Sequence, residues 1–151
     1  MTTSVSEREQ FVAAFATGWA LAAGADAFLT YFVPDWIDPD IELRQPLTRT
    51  VHGLPAFERS FRAVFTALPD LRAEVEAWTP TATGVDVHLR FFATLGRSPV
   101  EFTSLDRIEL RSGRILRRSA RLGLGPLLRA AVRDRRALWA LVTLARAGIR
   151  H

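Results

Sequence analysis

An aspartate set among apolar residues on a strand is the first candidate for chemistry in this chain. Asp106 lies in the run Val100, Phe102, Ser104, Asp106, Ile108, Leu110, which alternates with Glu101, Thr103, Arg107 and Glu109. A period of two places these sets on opposite faces of one strand. If Gly96 to Pro99 form a four-residue hairpin loop, Leu95 pairs with Val100, and Val85, Val87, Leu89, Phe91 and Ala93 share the face of Asp106. Asp106 is then the one ionisable group in the middle of an apolar row. Removing a carboxylate from water disfavours its charged form, so it must be protonated, hydrogen-bonded or paired, and it becomes a candidate acid or base. The plainer reading is neutralisation by an arginine of the next strand. A three-residue turn at Arg111 to Gly113 sets Arg118 opposite Asp106; a two-residue turn at Ser112-Gly113 sets Ser119 there and turns Arg117 and Arg121 inward.

The remaining chemistry-bearing residues are sparser. His52 precedes Gly53 in a strand-to-helix turn that can face a cavity mouth, although a lone histidine is more often a surface group. His88 falls on the outer strand face. His52, His88 and His151 show no ligand spacing with carboxylates, so no metal site is expected. There is no cysteine, which excludes disulfides, thiolate metal sites and cysteine nucleophiles. No phosphate loop or dinucleotide fingerprint occurs, and Gly96-Arg97-Ser98-Pro99 lacks the second glycine of a nucleophile elbow.

The chain that must position these residues has 151 residues, of which 48% are hydrophobic and 24% charged. That length suits one domain, and that balance excludes a disordered chain. The N-terminal MTTSVSEREQ has neither a basic region nor a following apolar stretch, so no signal peptide is expected and the expected location is cytoplasmic. All 20 basic residues are arginine: residues 1–106 hold 8 against 14 acids, and residues 107–151 hold 12 against 2. A basic tail of this kind can meet nucleic acid, anionic lipid or the protein's own acidic half.

Ser6 with Glu9 reads as a capping box, and Phe11, Phe15, Trp19 and Ala22 recur at helical spacing, predicting a helix over 7–22 that ends before Gly24. A second, short helix is expected from Asp26 to Phe32, stopped by Pro34, and a strand over 40–46. Pro55 in a first turn, with Phe57, Phe61, Val64, Phe65 and Leu68, marks a third helix ending at Pro69-Asp70. Segments 71–79, 85–95, 100–110 and 114–122 alternate and read as an antiparallel meander. Helices first and strands later predict an α+β domain whose curved sheet wraps around helices on one face.

Residues 123–151 form a separate feature, an expected basic amphipathic helix. Leu128, Ala131, Val132, Leu138, Trp139, Val142 and Ile149 make its apolar face, with Arg129, Arg133, Arg136 and Arg150 opposite. Packing on its own domain or on a dimer mate is the favoured use; an anionic membrane surface is second. Nucleic acid is not expected as a partner, because the apolar content wastes phosphate-contacting surface.

The element order, together with PVEFTSLDRIELRSGRI at residues 99–115, IELRQPL followed by His52-Gly53, and the helix ending in ALPDL, resembles the nuclear transport factor 2-like superfamily. The resemblance is to SnoaL-like polyketide cyclases and their ketosteroid isomerase relatives, and it covers residues 7–122. It implies a cone-shaped, curved antiparallel or mixed sheet around three N-terminal helices, with the helix at 123–151 as an extension of a 1–122 domain. It also implies that Asp106 stands where the cyclases place an acid/base aspartate and the isomerases a protonated oxyanion donor. Gln45, just before Pro46, replaces the isomerase base aspartate, so classical steroid isomerisation is not expected. Arg117-Arg118-Ser119 departs from the Glu-His-Trp-like run common in SnoaL-like proteins.

The resulting expectation is a pocket for a small hydrophobic ligand, worked on without a cofactor, in a homodimer. Asp106 would move the proton and Arg118 or Tyr31 would stabilise negative charge. Trp19, Gln45, His52, Trp78, Phe102, Ser104 and Ser119 would contact the substrate. A non-catalytic module for ligands, proteins or membranes is the alternative.

Overall fold

In the computed structural model, residues 5–45 and 49–149 are described. Pro46 and Leu47 of the IELRQPL match, Arg150 and His151 lie outside them. Five helices and six strands follow in the order α1 (Val5–Trp19), α2 (Gly24–Trp36), β1 (Ile37–Arg44), β2 (Val51–His52), α3 (Leu54–Ala67), β3 (Arg72–Pro80), β4 (Gly84–Leu95), β5 (Ser98–Arg111), β6 (Arg114–Leu122), α4 (Gly125–Arg133) and α5 (Arg135–Ile149). The strands make one sheet of order β2-β1-β6-β5-β4-β3. It is mixed, because β1 runs parallel to β6 while every other pair is antiparallel. The α+β expectation holds.

The helix boundaries depart from the sequence reading in physically simple ways. Helix α1 begins at Val5 and stops at Trp19, so Ser6 stands inside its first turn and Gly24 opens α2 instead of closing α1. Ala22 turns the chain between them at φ 53°, a left-handed value uncommon outside glycine. Pro34 does not end α2, which continues to Trp36. A proline this close to a helix end removes one N–H; the helix ends two residues after it, and the strand begins directly at Ile37. Helix α3 matches its prediction, with Pro55 in the first turn.

On β4 and β5 the expected faces are right and the expected loop is not. Leu95 pairs with Ser98, so the hairpin loop is Gly96-Arg97, two residues long, with Gly96 at φ 65°. Pairing shifts by two residues, which preserves the faces: Val87 opposes Asp106, Leu89 opposes Ser104 and Phe91 opposes Phe102. The row from Val85 to Ala93 is buried, and His88 opposite it is exposed. The inner face packs on Phe11, Phe15, Trp19, Phe28, Phe32, Phe57 and Phe61 from α1 to α3.

The basic extension is two helices, not one. Asp134 breaks it in an extended conformation, and its carboxylate caps α5 by accepting the Arg136 N–H at 2.9 Å. The other carboxylate oxygen accepts from the Arg97 N–H at 2.9 Å and the Ser98 hydroxyl at 3.3 Å, tying the break to the β4–β5 loop. Leu127, Ala130 and Ala137 join the same buried cluster as the sheet, and α5 also packs on α3. Of the apolar face expected from sequence, Leu128, Val132, Leu138 and Trp139 are exposed instead. The small alanines face inward because the helices lie close to the sheet; a Cβ on Gly96 would meet the Ala137 N at 2.2 Å.

Candidate active site

The inner sheet face carries three polar side chains in a row of apolar ones. Ser104, Asp106 and Arg118 are buried, Asp106 completely. Their alignment depends on an irregularity in β6. The turn at Ser112-Gly113 has two residues, as Arg111 pairs with Arg114 and Leu110 with Ile115, but the register then shifts so that Glu109 pairs with Arg117. The extra residue is Leu116, and a bulge of this kind rotates everything after it to the other face. Arg118 therefore points inward beside Ile108, Ala120 sits opposite Asp106, and Ser119 opposes Arg107 on the outer face. Neither regular turn predicted from sequence delivers this arrangement.

Both carboxylate oxygens of Asp106 are engaged. Oδ2 accepts from Arg118 Nε at 2.7 Å and lies 2.5 Å from Arg118 Nη2. Oδ1 accepts from the Ser104 hydroxyl. Pairing plus hydrogen bonding is what a fully buried charge requires. Arg118 in turn forms part of the wall of a cavity of about 10 Å³, otherwise lined by Phe15, Trp19, Phe28, Phe32, Phe57 and Phe61 with Ile37, Ile41 and Ile115. Its guanidinium carbon is 5.4 Å from the Trp19 ring centre and 6.0 Å from that of Phe61, within cation–π range. The Trp19 Nε1–H is buried without a hydrogen-bond partner. An unsatisfied buried donor costs on the order of 1–3 kcal/mol, so its retention beside this cavity calls for an explanation.

The structure brings Trp19, Ser104, Asp106 and Arg118 together and leaves the other candidates apart. Tyr31 donates its hydroxyl to the Ala14 carbonyl at 2.7 Å, across the α1–α2 contact, and so is committed to helix packing. Phe102 stacks on Phe91, ring centres 5.0 Å apart, and does not line the cavity. Trp78 is half-buried opposite Val87 near the far edge. His52 is exposed on β2 opposite Glu42, and Gln45 follows the end of β1. Ile37, Ile41 and Ile115 were not singled out from sequence; Ile115 could have been, since alternation from the Ser112-Gly113 turn places it inward.

Elsewhere, arginines of the sheet are spent on the chain's own acids. Arg111 binds Asp38 through Nε at 2.9 Å and Nη2 at 2.7 Å, and this guanidinium holds the Asp38 carboxyl below the usual range against the opposing effect of burial. Arg117, then Arg44, does the same for Glu42. Arg90 pairs with Glu76 and Glu101, and Arg107 with Asp86. Among the described residues, no three of His, Cys, Asp and Glu gather into a metal-binding group, and no helix is long and apolar enough to cross a membrane.

Solved structures share this architecture. A candidate SnoaL-like polyketide cyclase from Jannaschia sp. CCS1 superposes with a TM-score of 0.71 at 17% identity, covering 86% of this chain and 96% of that one. AclR, a candidate hydroxylase from Streptomyces galilaeus, gives 0.69 at 18% identity over 87% and 99%. A protein of ketosteroid isomerase-like fold from Catenulispora acidiphila DSM 44928, in complex with trimethylamine, gives 0.65 at 12% identity over 78% and 88%. At such identities the likeness is one of fold. No functionally curated protein matches the sequence significantly. The SnoaL-like domain family, by contrast, matches residues 8–118, a span that runs from α1 through the inward-turned Arg118, and the chain belongs to that family.

Proposed function

We propose that this protein binds a small, largely apolar carbonyl compound between helices and sheet and acts on it without a cofactor, as a cyclase- or isomerase-type enzyme. The observation that carries the reading is a buried Asp–Arg pair whose arginine lines an otherwise apolar cavity. In an apolar surround a guanidinium and an indole N–H are strong ligands for a carbonyl oxygen, and stronger still for an enolate oxygen, because no water competes. Asp106 Oδ1 is the side of the carboxylate held by a hydroxyl alone, and a serine hydroxyl rotates freely. Once Ser104 swings away, that oxygen can accept a proton from the carbon next to the carbonyl while Arg118 and Trp19 hold the resulting enolate. Returning the proton to another carbon completes an isomerisation; attack of the enolate carbon on a second carbonyl of the same molecule, with the proton on Asp106 passed to the alkoxide so formed, completes a cyclisation.

A cavity of about 10 Å³ is at the lower limit for one water molecule, so a substrate must displace aromatic side chains to enter. That same volume, with both Asp106 oxygens occupied, favours a second reading in which the site binds a ligand without turning it over. The test is a panel of polycyclic and terpenoid carbonyl compounds, with binding read by tryptophan fluorescence and turnover by mass spectrometry. Binding by the wild type, with turnover lost in Asp106→Asn, supports the enzyme. Binding without turnover gives the second reading, and the absence of any binding removes both.

A further inference from the structure

We propose that helices α4 and α5 form a docking surface for an anionic lipid bilayer. Three observations carry it. The first is exposure of large apolar side chains where water gains nothing from them: Val132 is 88% exposed, Trp139 66%, Leu128 54% and Leu138 50%. Leu128 and Val132 lie one turn apart on α4, beside the inward residues Leu127, Ala130 and Ala131, so the helix presents a second, outward apolar stripe.

The second is charge. Residues 125–149 hold Arg129, Arg133, Arg135, Arg136 and Arg146 against the single acid Asp134. Asp134 is consumed by the α5 cap and the β4–β5 loop. Arg90, Arg107, Arg111, Arg117 and Arg118 of the sheet pair with carboxylates, whereas among the described residues none of the five in α4 and α5 has an ion-pair partner. The acidic half of the chain therefore does not answer the basic half here.

The third is the combination at one place. Arg135, Arg136 and Trp139 line an open groove of about 460 Å³ with Thr66 and Ala67 of α3. Arginine for phosphate beside an indole at the boundary between apolar and polar is the chemistry of a headgroup region. The contact is peripheral, since neither helix is long and apolar enough to span. A surface built for nucleic acid would not spend its exposed area on Val132, Leu138 and Leu128.

The experiment is cosedimentation of the full chain with vesicles of phosphatidylcholine alone or with 30% phosphatidylglycerol, at low and at high salt. The expected result is binding to the anionic vesicles, absent on the neutral ones and weakened by salt. Each arginine near such a surface contributes on the order of tenfold or less to partitioning, so Arg135→Glu/Arg136→Glu should weaken binding at least about tenfold. Both substitutions put acids in the first turn of α5, which the helix dipole favours, so lost binding in that variant reports charge and not unfolding. Val132→Asn, which leaves the charge unchanged, should weaken binding as well, which a purely electrostatic adsorption would not. Failure of the folded wild type to bind anionic vesicles at low salt overturns the proposal. So does concentration-dependent self-association abolished by Val132→Asn, which would make a second copy the occupant, or tighter binding to duplex DNA than to the vesicles.

Discussion

Arg118 reaches Asp106 from a neighbouring position and not from directly across the sheet. Arg118 pairs with Ile108 and Asp106 with Ala120, yet two guanidinium nitrogens lie 2.7 and 2.5 Å from one carboxylate oxygen. The pair is diagonal, and the bulge at Leu116 is what makes the diagonal possible. Its consequence is that one side of the carboxylate is fixed by two charged donors while the other is held only by Ser104.

Breaking that pair should be costly and deleting it should not. Removing one member of a buried ion pair typically costs roughly 3–5 kcal/mol, whereas replacing both by apolar groups is often near neutral. Arg118→Met is expected to lose stability of that order in urea unfolding. Asp106→Leu/Arg118→Met should recover most of it. Strict additivity of the two single substitutions would show that the charges are not coupled in the folded state.

Gly96 should govern whether the extension stays docked. It combines φ 65° with a backbone approach in which an added Cβ would meet the Ala137 N at 2.2 Å and the Arg136 carbonyl carbon at 2.5 Å. A methyl group cannot displace backbone cheaply, so Gly96→Ala is expected to loosen α5 while leaving the sheet folded. Hydrogen exchange should then rise in residues 135–143 and stay unchanged in β5. Unaltered protection of α5 would mean that the hinge at Asp134 absorbs the strain.

Acid should act through the rim of the sheet. The Asp38 carboxyl is lowered chiefly by its hydrogen bond to Arg111, so its contribution is present above the ordinary aspartate value near 3.9 and is lost as pH falls through the lower folded value. The wild type should therefore lose stability faster than Asp38→Asn between roughly pH 5 and pH 2. Arg111 is half exposed, so the difference will be modest. Parallel acid limbs in the two proteins, followed by far-ultraviolet circular dichroism, would assign the loss to other carboxylates.

The sequence made some of this readable and concealed the rest for identifiable reasons. Alternation in β4 and β5 placed Asp106 inward despite a wrong loop length, because an even shift of register leaves the faces unchanged. The partner was not decidable, since a bulge has no reliable sequence mark and Leu116 looks like any strand residue. Tyr31 looked like an oxyanion donor because its type suits the role; only three-dimensional packing commits its hydroxyl to Ala14. The extension read as one helix because Asp134 is helix-compatible by neighbours, and the β4–β5 loop groups that hold its other carboxylate oxygen lie 36 and 37 residues away. Periodicity likewise could not distinguish the alanines that meet the sheet from the larger residues left outside.

Trp19 separates stability from binding most cleanly. Its indole N–H is buried without a partner, beside the cavity wall that Arg118 completes. Trp19→Phe removes that donor, which recovers part of an unsatisfied-group cost of about 1–3 kcal/mol, but it also trims a ring system whose centre lies 5.0 Å from that of Phe91 and 4.8 Å from that of Phe28. Large-to-small core changes ordinarily cost about 3–5 kcal/mol for complete truncation to alanine, and this smaller trim loses only part of that. The two effects oppose each other, so the variant is expected to unfold within about 1 kcal/mol of the wild type. If the orphaned donor is kept for a ligand oxygen, the same variant should bind carbonyl compounds severalfold more weakly while retaining affinity for hydrocarbons of equal shape. Equal weakening toward both classes would mean that Trp19 serves the site by shape alone, and the donor to a carbonyl would then be Arg118 without help.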